Sequence, residues 1–132
     1  MGVEIYGPKQ NILCISGAGI YGLKNPKKNI YLGNSGTSMR LLTGLLAGQK
    51  FDTKLTGDLS LNKRPMNRVA IPLRLMGAKI KTDKYGVPPV KILGNRLTGI
   101  NYIMPIASAQ DSLYLLFLDL KGDSFCHPRS NF

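Results

Sequence analysis

The chain has 132 residues, 43% of them apolar, with 18 lysines and arginines against 7 aspartates and glutamates and a formal net charge of +11. That length holds one modest core, and the longest apolar run, Leu113 to Leu118, is far short of the about 20 residues that a bilayer-spanning helix needs. Cys14 and Cys126 lie far apart with no second thiol or histidine cluster beside Cys14, which argues against a disulfide framework or a zinc knuckle and points to a reducing, cytoplasmic setting.

The opening Met-Gly-Val-Glu-Ile-Tyr lacks the basic-then-apolar pattern of a signal sequence and begins abruptly as a strand, so the start is read as lying inside a domain. Val3 to Tyr6 and Ile12 to Ser16 are β-type runs around Gly7-Pro8-Lys9-Gln10-Asn11, a turn-rich spacer that lets them pair. From Asn34 to Ala47, Met39, Leu42, Leu45 and Leu46 recur at helical spacing, and Gly48 supplies a residue suited to a left-handed cap. Phe51 to Thr56 alternates like a half-buried strand. Val69, Leu73 and Met76 define a second helical stripe ended by Gly77, with Pro72 inside it at the cost of one backbone hydrogen bond. Lys79 to Thr82 and Val90 to Leu93 read as two strands around Tyr85-Gly86-Val87-Pro88-Pro89. The order is strand, helix, strand, helix, strand, strand. It restarts at Ile100 to Met104, followed by an apolar segment from about Ser108 to Leu118.

Gly17-Ala18-Gly19-Ile20-Tyr21-Gly22 has the spacing of a dinucleotide fingerprint, but Leu23-Lys24-Asn25-Pro26 follows instead of a helix, and no acidic residue occurs between Glu4 and Asp52 to hold a ribose. A glycine-rich loop between strands is the better reading. Leu32-Gly33-Asn34-Ser35-Gly36-Thr37-Ser38-Met39-Arg40 is more informative, because small polar residues lead straight into the first helix. Unpaired amides and the positive end of the helix dipole can cradle a phosphate or carboxylate there; alternatively Asn34 or Ser35 is only an N-cap.

Arg64, in Asn62-Lys63-Arg64-Pro65-Met66, is better suited than Lys63 to a bidentate grip on an anion, or else is a solvated surface arginine. Ser108, ahead of Ala109 and Gln110, reads as a possible N-cap of the later apolar segment, with Gln110 exposed. His127 has no catalytic companion and is read as a tail residue. The remaining cations are scattered along the chain with little aromatic interleaving, which speaks against nucleic acid, and nothing marks a membrane.

Taken in order, these segments resemble the EPSP synthases, the 3-phosphoshikimate 1-carboxyvinyltransferases. The resemblance rests on Gly33-Asn34-Ser35-Gly36-Thr37 with Arg40, on Thr56-Gly57-Asp58 with Arg64-Pro65-Met66, and on Gly77-Ala78-Lys79-Ile80, Pro88-Pro89 and Ser108-Ala109-Gln110. It implies an α/β fold: part of an inside-out α/β barrel built from β-α-β-α-β-β units. One full repeat spans about 30–94, with partial repeats before and after and a divergent tail at 111–132.

It also implies transfer of the enolpyruvyl group of phosphoenolpyruvate to the 5-hydroxyl of shikimate 3-phosphate, without cofactor or metal. Asn34, Gly36, Thr37, Arg64 and Gln110 would bind phosphoenolpyruvate, and Ser108, Ala109 and Gln110 would bind shikimate 3-phosphate. No catalytic residue is identified in this chain. The family's N-terminal Lys-Ser…Arg segment and its second domain, with the acidic catalytic groups, have no counterpart here, so the chain is expected to be inactive alone. Leu41 stands where many members carry Pro, so inhibitor response does not carry over. The alternatives are a non-catalytic anion-binding fragment and the sister transferase acting on UDP-N-acetylglucosamine, against which Ser108-Ala109-Gln110 and the positions of the two cysteines argue.

Overall fold

The computed structural model describes residues 1–19 and 21–104 and the strand at 126–130, with side chains up to residue 102. The central body is a four-stranded sheet backed by two helices. Its strands are β3 (Ile30–Tyr31), β4 (Thr53–Thr56), β5 (Lys79–Lys81) and β6 (Val90–Leu93), in the order β3-β4-β6-β5. β3 runs parallel to β4, and the β4–β6 and β5–β6 pairs are antiparallel. The helices are α1 (Gly36–Ala47) and α2 (Asn67–Leu75), so the chain order is β3-α1-β4-α2-β5-β6.

Strand periodicity explains how one face closes. Leu55, Ile80, Val90 and Ile92 point inward and are buried, while Lys54, Lys79, Lys81 and Lys91 point outward and are exposed. α1 buries Met39, Thr43, Leu46 and Ala47, and α2 buries Val69, Ala70, Pro72 and Leu73, with Met76 just beyond its end. Met39, Leu46, Ala47, Val69, Ala70, Leu73 and Met76 form one core with Leu61, Met66 and the inward strand residues. Each such aliphatic side chain taken fully out of water contributes about 1.5–3 kcal/mol, so the helices are held by this stripe far more than by intrinsic propensity.

The ends of the elements differ from the sequence expectations in instructive ways. α1 starts at Gly36 because Ser35, not Asn34, is the N-cap: its Oγ accepts a hydrogen bond from Ser38 N at 3.2 Å. Ser35→Ala is expected to cost about 1 kcal/mol in denaturant unfolding. Gly48 does not adopt the left-handed cap; its φ is −91°, and the chain leaves through a right-handed turn in which Gln49 N donates to Leu46 O and Gln49 Nε2 to Leu45 O. Gly77 does adopt the left-handed conformation, with φ +93°, and its N–H returns to Arg74 O. Pro72 lies within α2. β4 begins at Thr53 rather than at Phe51.

Outside this body, β1 (Glu4–Lys9) and β2 (Ile12–Ser16) form an antiparallel hairpin. Its turn is Gln10-Asn11 alone, both at positive φ, because a two-residue turn of that kind matches the strand twist; the expected longer spacer is absorbed into β1. Residues 17–19 and 21–29 after β2 form no helix, in keeping with a glycine-rich loop rather than a dinucleotide turn. β7 (Ile100–Met104) pairs in parallel with β8 (Cys126–Ser130). The expected apolar segment between them lies outside the described residues, as does most of the divergent tail. Among the described residues no helix is long and apolar enough to cross a membrane.

Candidate functional site

The end of β3, the first turn of α1 and the segment after β4 meet at one edge of the sheet. β3 and β4 are zipped beyond their last paired residues by Leu32 N donating to Thr56 O at 2.9 Å. The chain then turns at Gly33, whose φ of +54° favours glycine, and Ser35 N closes the turn on Leu32 O. Gly33 O in turn accepts from Asp58 N at 2.9 Å, which brings the second segment alongside.

That second segment is braced from within. The Asp58 carboxylate accepts the Leu61 N–H at 2.7 Å and caps a single 3₁₀ turn, Leu61–Lys63. Asn62 Nδ2 donates to Gly57 O, and Arg64 N to Leu61 O. Leu61 plugs the turn into the core and is fully buried. Gly57 leaves no room for a side chain, since an added Cβ would sit 2.8 Å from Gly33 O and overlap Leu61. Gly57→Ala is therefore expected to destabilise the chain by about 1–3 kcal/mol, read as a lower denaturant midpoint.

This bracing delivers Arg64 to the N-terminus of α1. Its Nη2 donates to Asn34 Oδ1 at 2.9 Å, and its Nη1 lies over Gly36, where an added Cβ would come within 3.0 Å of it. Four of the five expected phosphoenolpyruvate residues, Asn34, Gly36, Thr37 and Arg64, thus form one patch. Asn34, Thr37 and Arg64 are exposed, and Gly36 lies buried beneath the guanidinium. No acidic residue stands in the first turn of α1. The patch combines a guanidinium, an amide side chain and the positive end of a twelve-residue helix, a set of groups suited to an anion.

Lys63 is exposed. Leu41 is half-buried against the core. Ser108, Ala109 and Gln110 lie outside the described residues, and so do the side chains of Cys126 and His127. Cys14 is a free, exposed thiol on β2. Among the described residues no cluster of His, Cys, Asp and Glu could hold a metal ion.

The sequence reading missed Gly57, Asp58 and Asn62 as the residues that place Arg64. An Asp three residues before a backbone N–H is a recognisable turn signal. The partnership of Asn34 with Arg64, thirty residues apart, has no local signal at all.

The family model for EPSP synthase (3-phosphoshikimate 1-carboxyvinyltransferase) matches residues 1–126. The chain belongs to the EPSP synthase family. A 3-phosphoshikimate 1-carboxyvinyltransferase from Methylococcus capsulatus is 60% identical over 124 residues, covering 93% of this chain and 28% of the relative. One from Halorhodospira halophila is 51% identical over 124 residues, with the same coverage. The solved EPSP synthase from Acinetobacter baumannii superposes with a TM-score of 0.84 at 56% identity, covering 89% of this chain and 27% of that one. The chain thus spans little more than a quarter of the length of these EPSP synthases. The relatives carry the shikimate name, in line with the Ser108-Ala109-Gln110 reading and not with the sister transferase.

Proposed function

We propose that the chain supplies part of the substrate site for transfer of the enolpyruvyl group from phosphoenolpyruvate to the 5-hydroxyl of shikimate 3-phosphate. The observation that carries this is the Arg64 guanidinium held by Asn34 over Gly36, at the start of α1. In this reading Arg64 and the first-turn amides hold the anionic end of phosphoenolpyruvate, with Asn34 and Thr37 at its flank. Ser108, Ala109 and Gln110 take shikimate 3-phosphate, and Gln110 touches both. Two anions are brought together by fixed positive groups, so that little reorganisation remains when charge develops.

The β3-α1-β4-α2-β5-β6 order supports one repeat of an inside-out α/β barrel, with parts of its neighbours on either side. The groups that protonate the methylene carbon and complete the phosphoenolpyruvate site belong to a second domain, and the setting read for this chain is the cytoplasm. These 132 residues bind without turnover.

Calorimetric titration of the chain with shikimate 3-phosphate and then phosphoenolpyruvate tests this. Binding of each is expected, weakened by Gln110→Ala for both, with no phosphate released above background. Absence of heat with either ligand removes the binding role, and steady phosphate release removes the claim that the chain does not turn over.

A further inference from the structure

The cations that look scattered along the sequence converge in the fold. Lys54 on β4 stands directly opposite Lys91 on β6, and Lys91 directly opposite Lys81 on β5. Lys79, two rungs along β5, pairs with Leu93. All four lysines are exposed, on the sheet face turned away from α1 and α2. On the same face of β3, Tyr31 lies beside Thr56 and is 66% exposed. The carboxylates that flank these strands, Asp52, Asp58 and Asp83, sit past the strand ends and accept backbone N–H groups, from Gly94 at 2.9 Å, Leu61 at 2.7 Å and Lys84 at 2.7 Å.

Like charges set directly opposite across strands destabilise a sheet, and a row of them with no acid on its own rung is relieved by a bound anion. At about 4.8 Å between strands, Tyr31, Lys54, Lys91 and Lys81 span about 14 Å. That is an open sheet face with an aromatic ring at one end and a basic track across it. Single-stranded nucleic acid is recognised by this pairing of ring stacking and backbone neutralisation.

We propose that the open face of the four-stranded sheet binds single-stranded nucleic acid, with Lys54, Lys81 and Lys91 along the phosphodiester backbone and Tyr31 stacked on a base. This differs from the expectation drawn from the linear spacing of the cations, which strand register does not preserve. The three lysines take no part in the substrate patch, whose segment begins directly after Tyr31 at the end of β3.

Fluorescence anisotropy of a labelled oligothymidylate of about 12 nucleotides, titrated with the full chain over a range of salt, tests the proposal. The triple variant Lys54→Gln, Lys81→Gln, Lys91→Gln is expected to reduce the slope of log affinity against log salt by about 2, at about 0.7 per phosphate contact. Tyr31→Ala is expected to lose about 5- to 150-fold in affinity. Lys24→Gln, Lys27→Gln, Lys28→Gln removes the same charge from the exposed loop after β2 and is expected to reduce the slope much less. All seven positions are exposed, and circular dichroism confirms that each variant stays folded.

Equal losses from the two triple variants would show only attraction to net charge and overturn the proposal. So would absence of binding at low salt. Inorganic polyphosphate binding as tightly, with Tyr31→Ala without effect, would overturn it as well.

Discussion

Arg64→Ala is expected to weaken phosphoenolpyruvate binding by about 10- to 150-fold, the effect of losing a charge-assisted hydrogen bond of about 1.5–3 kcal/mol. Among the described residues of the patch, Asn34, Gly36, Thr37 and Arg64, the substitution removes the one with a full positive charge. It also leaves Asn34 Oδ1 without its 2.9 Å donor, on an exposed surface where water replaces it at little cost. Stability should therefore barely change while affinity falls, and calorimetry beside a thermal melt separates the two. Arg64→Lys is expected to recover only a small part of the affinity. A lysine offers a point charge and cannot both bond Asn34 and present a planar pair of donors to a carboxylate or phosphate. Asn34→Ala should lose less than Arg64→Ala, and the double variant little more than Arg64→Ala alone, because the two residues act as a unit.

Leu55→Ala carries the largest expected effect on stability. Leu55 is fully buried in β4, between Ile30 of β3 and Val90 of β6, beneath the helices. Truncation there removes buried surface and leaves a cavity that the sheet, pinned on both sides, cannot close, so about 2–5 kcal/mol should be lost. At about 4–8 °C per kcal/mol for a body of this size, the melting midpoint should fall by at least about 8 °C. Lys54→Ala, next to it but facing solvent, should leave the midpoint nearly unchanged. A similar fall at both positions would contradict the assigned sheet faces.

Much of the body was legible because periodicity and punctuation agreed. Met39 and Leu46 at helical spacing, alternation through Thr53 to Thr56, and Gly77 in its left-handed cap each point to the element that forms. Gly48 failed as a left-handed cap because Gln49 ties off the end of α1 through Leu45 and Leu46, a side-chain solution that composition does not reveal. In the site, the loop-to-helix pattern at Gly33–Thr37 and the choice of Arg64 over Lys63 could be read locally. The means of bringing them together could not. Asp58 bonding back to Gly33, and Gly57 fitting against Leu61, depend on the parallel pairing of β3 with β4, which follows only from the closed core. The lysine row was hidden for the same reason: Lys54, Lys81 and Lys91 share a rung only once strand register is known.

The most direct test of the central claim is a titration of isotope-labelled chain with phosphoenolpyruvate, followed residue by residue by nuclear magnetic resonance. Saturable shifts are expected at the amides of Asn34, Gly36 and Thr37 and at the Arg64 guanidinium, and in Arg64→Ala the midpoint of the amide shifts should move to about 10- to 150-fold higher phosphoenolpyruvate. Shifts confined to the lysine face of the sheet, or no shifts around the start of α1, would contradict the assignment of this patch as the phosphoenolpyruvate-binding part of the site.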